Sequence, residues 1–146
     1  MQFLFIVLFY VRRTLKQIIG VYIVGKKILL LEDNVLNCEL VTDILEMEGY
    51  TVTAAGNGTE GLALLESETF DLILTDINLP KTDGIEFLTR ARKISGERCI
   101  ILAMTSNSTT RDGKSFEEVG FDGFIPKPFK VTDFRKYIHS LLCETQ

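Results

Sequence analysis

The residues best suited to chemistry are three carboxylates, a hydroxyl and an amine, each of which follows an apolar run. Glu32 and Asp33 come after one run, Asp76 after a second, and Thr105 and Lys127 after two more. Crowded carboxylates repel one another unless a cation lies among them, and a site with only oxygen ligands suits Mg²⁺. A nucleophilic carboxylate, a divalent metal, a hydroxyl and an ammonium are the groups needed for phosphoryl transfer to an aspartate.

The elements that must position these residues are strands and helices, which alternate regularly from residue 26 onward. Apolar or β-branched segments predict five strands, over residues 27–31, 50–55, 70–75, 99–104 and 121–126. Amphipathic segments predict helices over residues 34–48, 58–67, 84–94 and 134–141, and the regular alternation predicts a further one over residues 107–119, the fourth of five. This alternation predicts an α/β fold with a doubly wound parallel sheet in the order 2-1-3-4-5. In that order the first and third strands are neighbours, so their carboxylates should converge at the switch point.

Two of the predicted helices carry specific expectations. In the first helix, which Asn34 should cap, the apolar residues recur at helical spacing and are expected to face the core; they are Leu36, Leu40, Ile44 and Met47. The fourth helix, over residues 107–119, has little apolar surface before Phe116. We therefore expect it to be the most mobile element of the fold.

Length, charge and cysteine content narrow the class of protein. The 146 residues fit one domain with a real core and leave room for an appendage. A net charge of -4 and a pI of about 5.1 argue against bulk electrostatic capture of nucleic acid or anionic lipid. The three cysteines are widely spaced and lack the close pairs typical of metal sites or disulfide frameworks; they are Cys38, Cys99 and Cys143. They are typical of reduced intracellular thiols.

The first 25 residues are predicted to be a hydrophobic appendage. Residues 3–11 are all apolar and are followed by Arg12 and Arg13. Nine residues are too few to span a bilayer, which needs about 20, and a signal peptide would have its positive charge before the apolar run. The appendage could pack on the domain or lie outside it, and membrane-surface contact or self-association is the alternative. We expect residues 26–143 to form one domain and residues 144–146 a tail.

From residue 26 to residue 142 the chain resembles the receiver domains of two-component response regulators. The resemblance rests on four stretches: Leu30-Leu31-Glu32-Asp33-Asn34, Leu74-Thr75-Asp76-Ile77-Asn78-Leu79-Pro80 with Asp83-Gly84, Ala103-Met104-Thr105-Ser106, and Lys127-Pro128-Phe129. It implies a flavodoxin-like fold and a cytoplasmic signalling function. Asp76 looks like the phosphoacceptor, which would take a phosphoryl group from a histidine on a kinase or a phosphotransfer domain.

The resemblance also implies how Mg²⁺ would be held. Asp33, Asp76 and the backbone carbonyl of Asn78 would bind the ion, and Glu32 would act through water. The chain departs from the family at Thr82, where a methionine is frequent.

The resemblance also implies which residues contact the phosphoryl group, which form the switch and which tune the lifetime of the group. Thr105 and Lys127 would contact the phosphoryl oxygens, and the peptide bond after Lys127 is expected to be cis. Thr105 and Phe124 would form the switch, although Phe124 lacks the hydroxyl of a tyrosine and could act only through ring packing. Asn78 and Asn107 occupy positions that tune the lifetime of the phosphoryl group, and two short amides predict a moderate lifetime.

The favoured interpretation is a stand-alone receiver that switches protein interactions through its fourth helix, fifth strand and last helix. Because the chain stops at Gln146, no DNA-binding output domain and no direct nucleic-acid binding are expected. The alternatives are a receiver piece of a hybrid histidine kinase and a docking module that works without phosphorylation. A phosphohydrolase is disfavoured, because Asn78 lies where a second catalytic acid would be needed. We therefore expect no enzymatic turnover beyond self-catalysed phosphotransfer and autodephosphorylation.

Overall fold

The computed structural model describes residues 25–143 and, before them, residues 4, 6, 7, 10, 11 and 14. Its strands are β1 Lys27–Leu31, β2 Thr51–Ala55, β3 Leu72–Asp76, β4 Ile100–Thr105 and β5 Gly123–Pro126. Within residues 25–143 the helices are α1 Val35–Met47, α2 Gly58–Ser67, α3 Gly84–Ser95 and α4 Val131–Cys143. All strand pairs are parallel and the order is β2-β1-β3-β4-β5, which confirms the predicted sheet.

The helices cover both faces of the sheet, as a doubly wound fold requires. Residues of β1, β3 and β4 are almost all buried, which explains why these strands are continuous apolar runs rather than alternating patterns. On one face α1 and α4 pack through Val41, Ile44, Leu45, Phe134, Ile138 and Leu142. On the other face α2 and α3 pack through Leu62, Leu65, Phe87, Leu88 and Ala91.

Three helices begin with a capping side chain directly after the loop that follows a strand. The side chain of Asn34 accepts a hydrogen bond from the backbone N–H of Asn37, at 3.0 Å, so the predicted cap of α1 is confirmed. Asn57 caps α2 and Asp83 caps α3 in the same way. These caps satisfy N–H groups that have no partner inside the helix. They hold the strand-to-helix loops at the carboxyl edge of the sheet.

The predicted core face of α1 is wrong. Ile44 is buried as expected, but Leu36, Leu40 and Met47 are exposed, and the other buried residues of the helix are Val41 and Leu45. Both sets have helical spacing, because α1 carries apolar residues on more than one face. The sheet contacts the face that contains Val41, and spacing alone does not identify that face. An exposed apolar stripe, formed by Leu36, Leu40 and Met47, is the result.

The fourth predicted helix does not form. Residues 107–119 are bends and turns, so residues 25–143 contain four helices instead of five. Gly113 and Gly120 have φ values of 75° and 111°, which interrupt any right-handed helix on both sides of the 114–119 stretch. Phe116 is buried, but the polar residues before it provide no second turn of apolar surface. The segment packs on the core through Phe116 and the partly buried Val119.

The predictions for the two chain ends fall largely outside the described residues. The six described residues at positions 4 to 14 are helical and exposed. Neither the remaining part of the predicted appendage nor the tail, residues 144–146, is described. Among the described helices, none combines the length and the apolar character that a membrane crossing requires. All three cysteines are free thiols, and burial raises the pKa of Cys99 to about 11.

The hydroxyl of Tyr50 predicts a measurable stability change. The side chain is buried beside α1 and α4, and among the described residues its hydroxyl has no hydrogen-bond partner. Burial, followed by the charges of Cys143 and Glu48, raises its pKa to about 12. Tyr50→Phe removes a buried unsatisfied group, so the free energy of unfolding in urea should rise by about 1 kcal/mol.

Alkaline pH gives a second measurement on the same variant. Because the folded-state pKa of Tyr50 is raised, its ionisation does not affect stability below its unfolded pKa of about 10, and it lowers the free energy of unfolding as pH rises from there through about 12. Tyr50→Phe should therefore flatten the loss of stability in this window. A variant that is less stable than the wild type at neutral pH would show that the hydroxyl is hydrogen-bonded after all.

Candidate functional site

The carboxyl edge of the sheet collects the chemically active residues from four strands. Leu31 ends β1 and is in register with Thr75, so Glu32 lies beside the end of β3. Asp76 is the last residue of β3 rather than the first residue of the loop, and it pairs with Met104. Thr105 ends β4, and Lys127 follows β5 directly. Parallel alignment is therefore what brings residues distant in sequence to one edge.

Lys127 joins two of the carboxylates. Its Nζ lies 2.7 Å from Oδ2 of Asp76 and 2.9 Å from Oε2 of Glu32. The Glu32 and Asp76 residues are buried, and the lysine side chain is about three-quarters buried. Such charge-assisted bonds are strong where water is excluded. The ammonium therefore neutralises part of a buried acidic cluster in this structure.

Backbone amides hold the other oxygens of the same two carboxylates. Oδ1 of Asp76 accepts a hydrogen bond from the N–H of Asn78 at 2.8 Å, and Oε1 of Glu32 accepts one from the N–H of Asn34 at 3.1 Å. Each carboxylate is thus held at both oxygens, which fixes its rotamer. The amide of Asn34 was not predicted to take part, although its position at the cap of α1 was a usable signal.

This environment stabilises the protonated form of Lys127. Burial by itself lowers the pKa of an ammonium, but the hydrogen bonds and charges of Asp76 and Glu32 outweigh burial. The pKa of Lys127 is therefore raised above its usual value. The lysine is fully protonated at neutral pH and can stabilise negative charge that develops beside Asp76.

Asp33 completes an acidic cluster suited to a divalent cation. One carboxylate oxygen from each of Glu32, Asp33 and Asp76 lies within 4.8 Å of the others, and Asp33 is exposed. Three ionised carboxylates and the ammonium of Lys127 leave a formal charge of -2, which a divalent cation balances. Hard oxygen donors, two buried and one open to water, fit Mg²⁺, which retains several of its waters when bound.

The predicted phosphoryl-contact and switch residues lie on β4, β5 and the loop after β4. Thr105 is buried. Its hydroxyl accepts a hydrogen bond from the N–H of Asn107 at 3.0 Å, and its carbonyl accepts one from the N–H of Lys127 at 2.8 Å. Phe124 is half-buried, with its ring centroid 5.5 Å from that of Phe116. The strand ends that carry Thr105 and Lys127 are therefore directly coupled. The peptide bond between Lys127 and Pro128 is cis, as predicted.

A doubly wound α/β fold with an acidic cluster and a lysine at its carboxyl edge defines the class of phosphoacceptor signalling domains. The family of response regulator receiver domains matches residues 28–139. The chain therefore belongs to this family, and it is a receiver domain of two-component signal transduction systems. Members of the family are phosphoacceptors.

Curated relatives include both separate regulators and larger kinases. The CpxR homolog of Haemophilus influenzae, a transcriptional regulatory protein, is 35% identical over 116 residues, covering 80% of this chain and 50% of the relative. The polar-differentiation response regulator DivK of Brucella anthropi is 34% identical over 118 residues, covering 80% and 96%. Hybrid signal transduction histidine kinase B of Dictyostelium discoideum is 33% identical over 120 residues, covering 74% and 6%. The chain thus spans half or less of two of these relatives.

Solved structures agree with this assignment. The receiver domain of a sensor histidine kinase from Pseudomonas aeruginosa has a TM-score of 0.73 and 29% identity, covering 82% of this chain and 98% of that one. That crystal structure has a magnesium ion coordinated in the active-site cleft. A receiver domain protein from Methanospirillum hungatei has a TM-score of 0.76 and 33% identity, covering 83% and 96%.

Proposed function

We propose that Asp76 accepts a phosphoryl group from a histidine on a kinase or a phosphotransfer domain. The observation that carries this proposal is the environment of its carboxylate, which is buried, held by the N–H of Asn78 and paired with Lys127. In the transfer, a carboxylate oxygen of Asp76 attacks phosphorus and the phosphorus–nitrogen bond of the donor breaks. The electron pair of that bond returns to the histidine nitrogen. No turnover beyond this transfer and the later loss of the phosphoryl group is proposed.

The acidic cluster would hold Mg²⁺ during this transfer. Asp33, Asp76 and the backbone carbonyl of Asn78 would be ligands, and Glu32 would act through a bound water. The ion would neutralise charge on the phosphoryl oxygens. The supporting observations are the 4.8 Å clustering of the carboxylate oxygens and their residual negative charge.

Lys127 and Thr105 would receive the phosphoryl oxygens. The ammonium of Lys127, now 2.7 Å from Oδ2 of Asp76, needs only a small movement to reach an oxygen of the added group. The hydroxyl of Thr105 would donate to a second oxygen, and a rotation of the side chain toward the phosphoryl group would weaken the hydrogen bond that it accepts from the N–H of Asn107. Because Asn107 begins the irregular 107–119 segment, this rotation would transmit the chemistry to the surface. Asn78 and Asn107 are both exposed and would influence how readily water reaches the phosphoryl group.

The proposed output surface includes this segment. It consists of residues 107–119, β5 and α4, and the packing of Phe124 against Phe116 connects the segment to β5. A change at Thr105 would repack Phe124, and the surface would bind a downstream protein differently. The sequence predicts a helix in this surface at residues 107–119, but those residues form bends and turns.

The test of the proposed function is labelling with a small acyl phosphate donor. Wild-type protein with Mg²⁺ should gain one phosphoryl group, detected by intact-mass spectrometry, and hydroxylamine should release it. The labelling should disappear when a chelator removes the metal. Label that survives hydroxylamine, or that forms equally well with the chelator, would exclude an aspartyl phosphate made with Mg²⁺.

Asp33→Asn is predicted to weaken Mg²⁺ binding. Asp33 is the exposed member of the cluster, so its loss removes one charged ligand and leaves the buried pair intact. The dissociation constant for Mg²⁺, measured by calorimetry, should rise at least about tenfold. Asp43→Asn, which changes an exposed aspartate later on α1, is the matched control and should bind Mg²⁺ as the wild type does. Equal affinities in the two variants would exclude Asp33 as a ligand.

A second candidate is that the chain is a receiver segment of a hybrid histidine kinase. The relatives from Dictyostelium discoideum support it, because the matched part is 6% of one such kinase and 10% of another. Both candidates use the same site and both place the domain in the cytoplasm. They differ in the donor, which would be a histidine of the same protein or of a separate one. Comparing phosphotransfer from a histidine of the same protein with phosphotransfer from a histidine of a separate protein would distinguish the two candidates.

A further inference from the structure

The loop between β3 and α3, residues 77–83, is anchored by an unusual contact. Thr82 is buried, although Lys81 and Asp83 on either side of it are exposed. Its side chain lies against Gly58, the first residue of α2, which is also buried. A β-carbon at Gly58 would lie 2.6 Å from Cβ and 2.7 Å from Cγ2 of Thr82. The contact therefore exists only because residue 58 has no side chain.

The atom nearest to Gly58 makes this contact a constraint on the loop backbone. Cβ of Thr82 is bonded directly to the main chain, so a rotation of the side chain does not move it away. Any side chain at position 58 would have to displace the loop itself, because 2.6 Å is far below the normal contact distance between carbon atoms. Helix propensity would favour alanine over glycine at this position. The glycine is thus explained by the contact and not by α2.

The residue before Thr82 provides an independent sign that the loop is held in place. Lys81 has a φ of 66°, and it is the only residue other than glycine with positive φ among those described. Such a conformation costs about 1 kcal/mol or more and persists only when the surrounding structure maintains it. The buried side chain of Thr82, one residue later, is the packing that can maintain it.

The beginning of the loop is also fixed, so its whole course is determined. The N–H of Asn78 donates to Oδ1 of Asp76, and a β-carbon at Gly84 would lie 3.1 Å from Cα of Ile77. Between these contacts and Thr82 lies Asn78, whose side chain is exposed and has no role in packing the core. The next residue, Leu79, is buried in the core, so the position of the Asn78 carbonyl depends on Leu79 and on how the loop is anchored at both ends.

We propose that the packing of Thr82 against Gly58 is a positioning device that sets the Asn78 carbonyl for cation binding. The inference rests on the proposed function, because it assumes that this carbonyl is a ligand of Mg²⁺. Neither Gly58 nor Thr82 touches the ion. They act through the loop backbone, and the shape of residue 82, rather than its hydroxyl, is what matters.

The test is calorimetric measurement of Mg²⁺ affinity in the full chain for a set of paired variants. Gly58→Ala should raise the dissociation constant by about tenfold, the size of effect typical for residues that orient metal ligands. Thr82→Gly should weaken binding as well, because it removes the anchor without creating a clash. The double variant Gly58→Ala/Thr82→Gly should recover much of the affinity, because the new methyl group occupies the space that Thr82 leaves.

Two further variants separate the effect of side-chain shape from the effects of the Thr82 hydroxyl and of ligand charge. Thr82→Val keeps the shape and removes the hydroxyl, so its affinity should stay within about twofold of the wild type. Asp33→Asn should lose affinity because a charged ligand is removed. If Asp33→Asn loses affinity while Thr82→Gly and Gly58→Ala do not, the positioning role is wrong and the metal site stands. If Asp33→Asn also binds normally, the proposed metal site itself fails.

The free energy of unfolding, measured without Mg²⁺, distinguishes a positioning role from a general loss of stability. Urea unfolding should show the double variant to be folded, so its recovered affinity can be compared directly with that of Thr82→Gly. Should Gly58→Ala fail to fold, Thr82→Gly and Thr82→Val still test the role of shape. Affinity that merely follows the free energy of unfolding across all four variants would contradict the proposal.

Discussion

Asp76→Asn should abolish labelling by a small phosphodonor, with a loss of at least about 100-fold. The amide has nearly the same shape as the carboxylate but is a very poor nucleophile, so the variant removes the attacking group. It also removes one negative charge from the acidic cluster. Its single amide oxygen can replace one of the two carboxylate oxygens, which accept from the N–H of Asn78 and from Lys127, whereas the amide nitrogen only donates. Intact-mass spectrometry after incubation with donor and Mg²⁺ measures the result directly.

The matched control is Asp83→Asn, in the same loop. Asp83 caps α3 by accepting the N–H of Ile85, and asparagine caps helices equally well. This variant should be labelled as the wild type is. Persistent labelling of Asp76→Asn at another residue would reject Asp76 as the acceptor. Partner binding that is indifferent to the phosphodonor in the wild type would instead favour the docking module that works without phosphorylation.

Lys127→Met should change stability and metal affinity in opposite directions. Without Mg²⁺, the variant leaves Glu32 and Asp76 buried without their cation, and the free energy of unfolding should fall by about 2 kcal/mol. This figure is below the usual range for buried pairs because the lysine retains some exposure. With the ammonium gone, the cluster carries one more unit of negative charge. Mg²⁺ should therefore bind more tightly, while phosphoryl labelling should slow because the oxygens lose a cation.

The pH dependence of this effect has a defined sign. The folded-state pKa of Lys127 is raised, so its stabilising contribution is complete below the unfolded value of about 10.4. The contribution is lost as pH rises through the higher folded-state pKa. Unfolding curves of the wild type and of Lys127→Met should therefore differ at neutral pH and converge in strong alkali.

Lys130→Met is the appropriate control for the lysine variant. Lys130 is exposed and lies three residues beyond Lys127, so its removal changes the net charge equally without disturbing the cluster. Its stability should stay within about 0.5 kcal/mol of the wild type. If Lys127→Met were as stable as this control and bound Mg²⁺ no better, the lysine would not be coupled to the acidic cluster in solution.

The α1 stripe is exposed because the spacing of apolar residues does not determine which face of α1 packs against the sheet. A helix with apolar residues on two faces can pack either one against a sheet, and the sheet contacts the face of Val41 and Leu45. Leu36, Leu40 and Met47 remain outside for that reason. The same limitation applies to residues 107–119, where a helix was predicted from the regular alternation of elements rather than from an apolar pattern of its own.

The amino-acid sequence by itself determined the strands, their order and the residues at their ends. Apolar runs that stop at Glu32 and Asp76 are local signals, and parallel connections allow few arrangements of five strands. The tertiary structure alone decided that Lys127 joins two carboxylates, which face of α1 is buried, and that Thr82 packs on Gly58. These are contacts between residues distant along the chain, and their geometry depends on how whole elements pack against one another. Local propensity therefore specifies which elements form, whereas packing specifies which side chains meet.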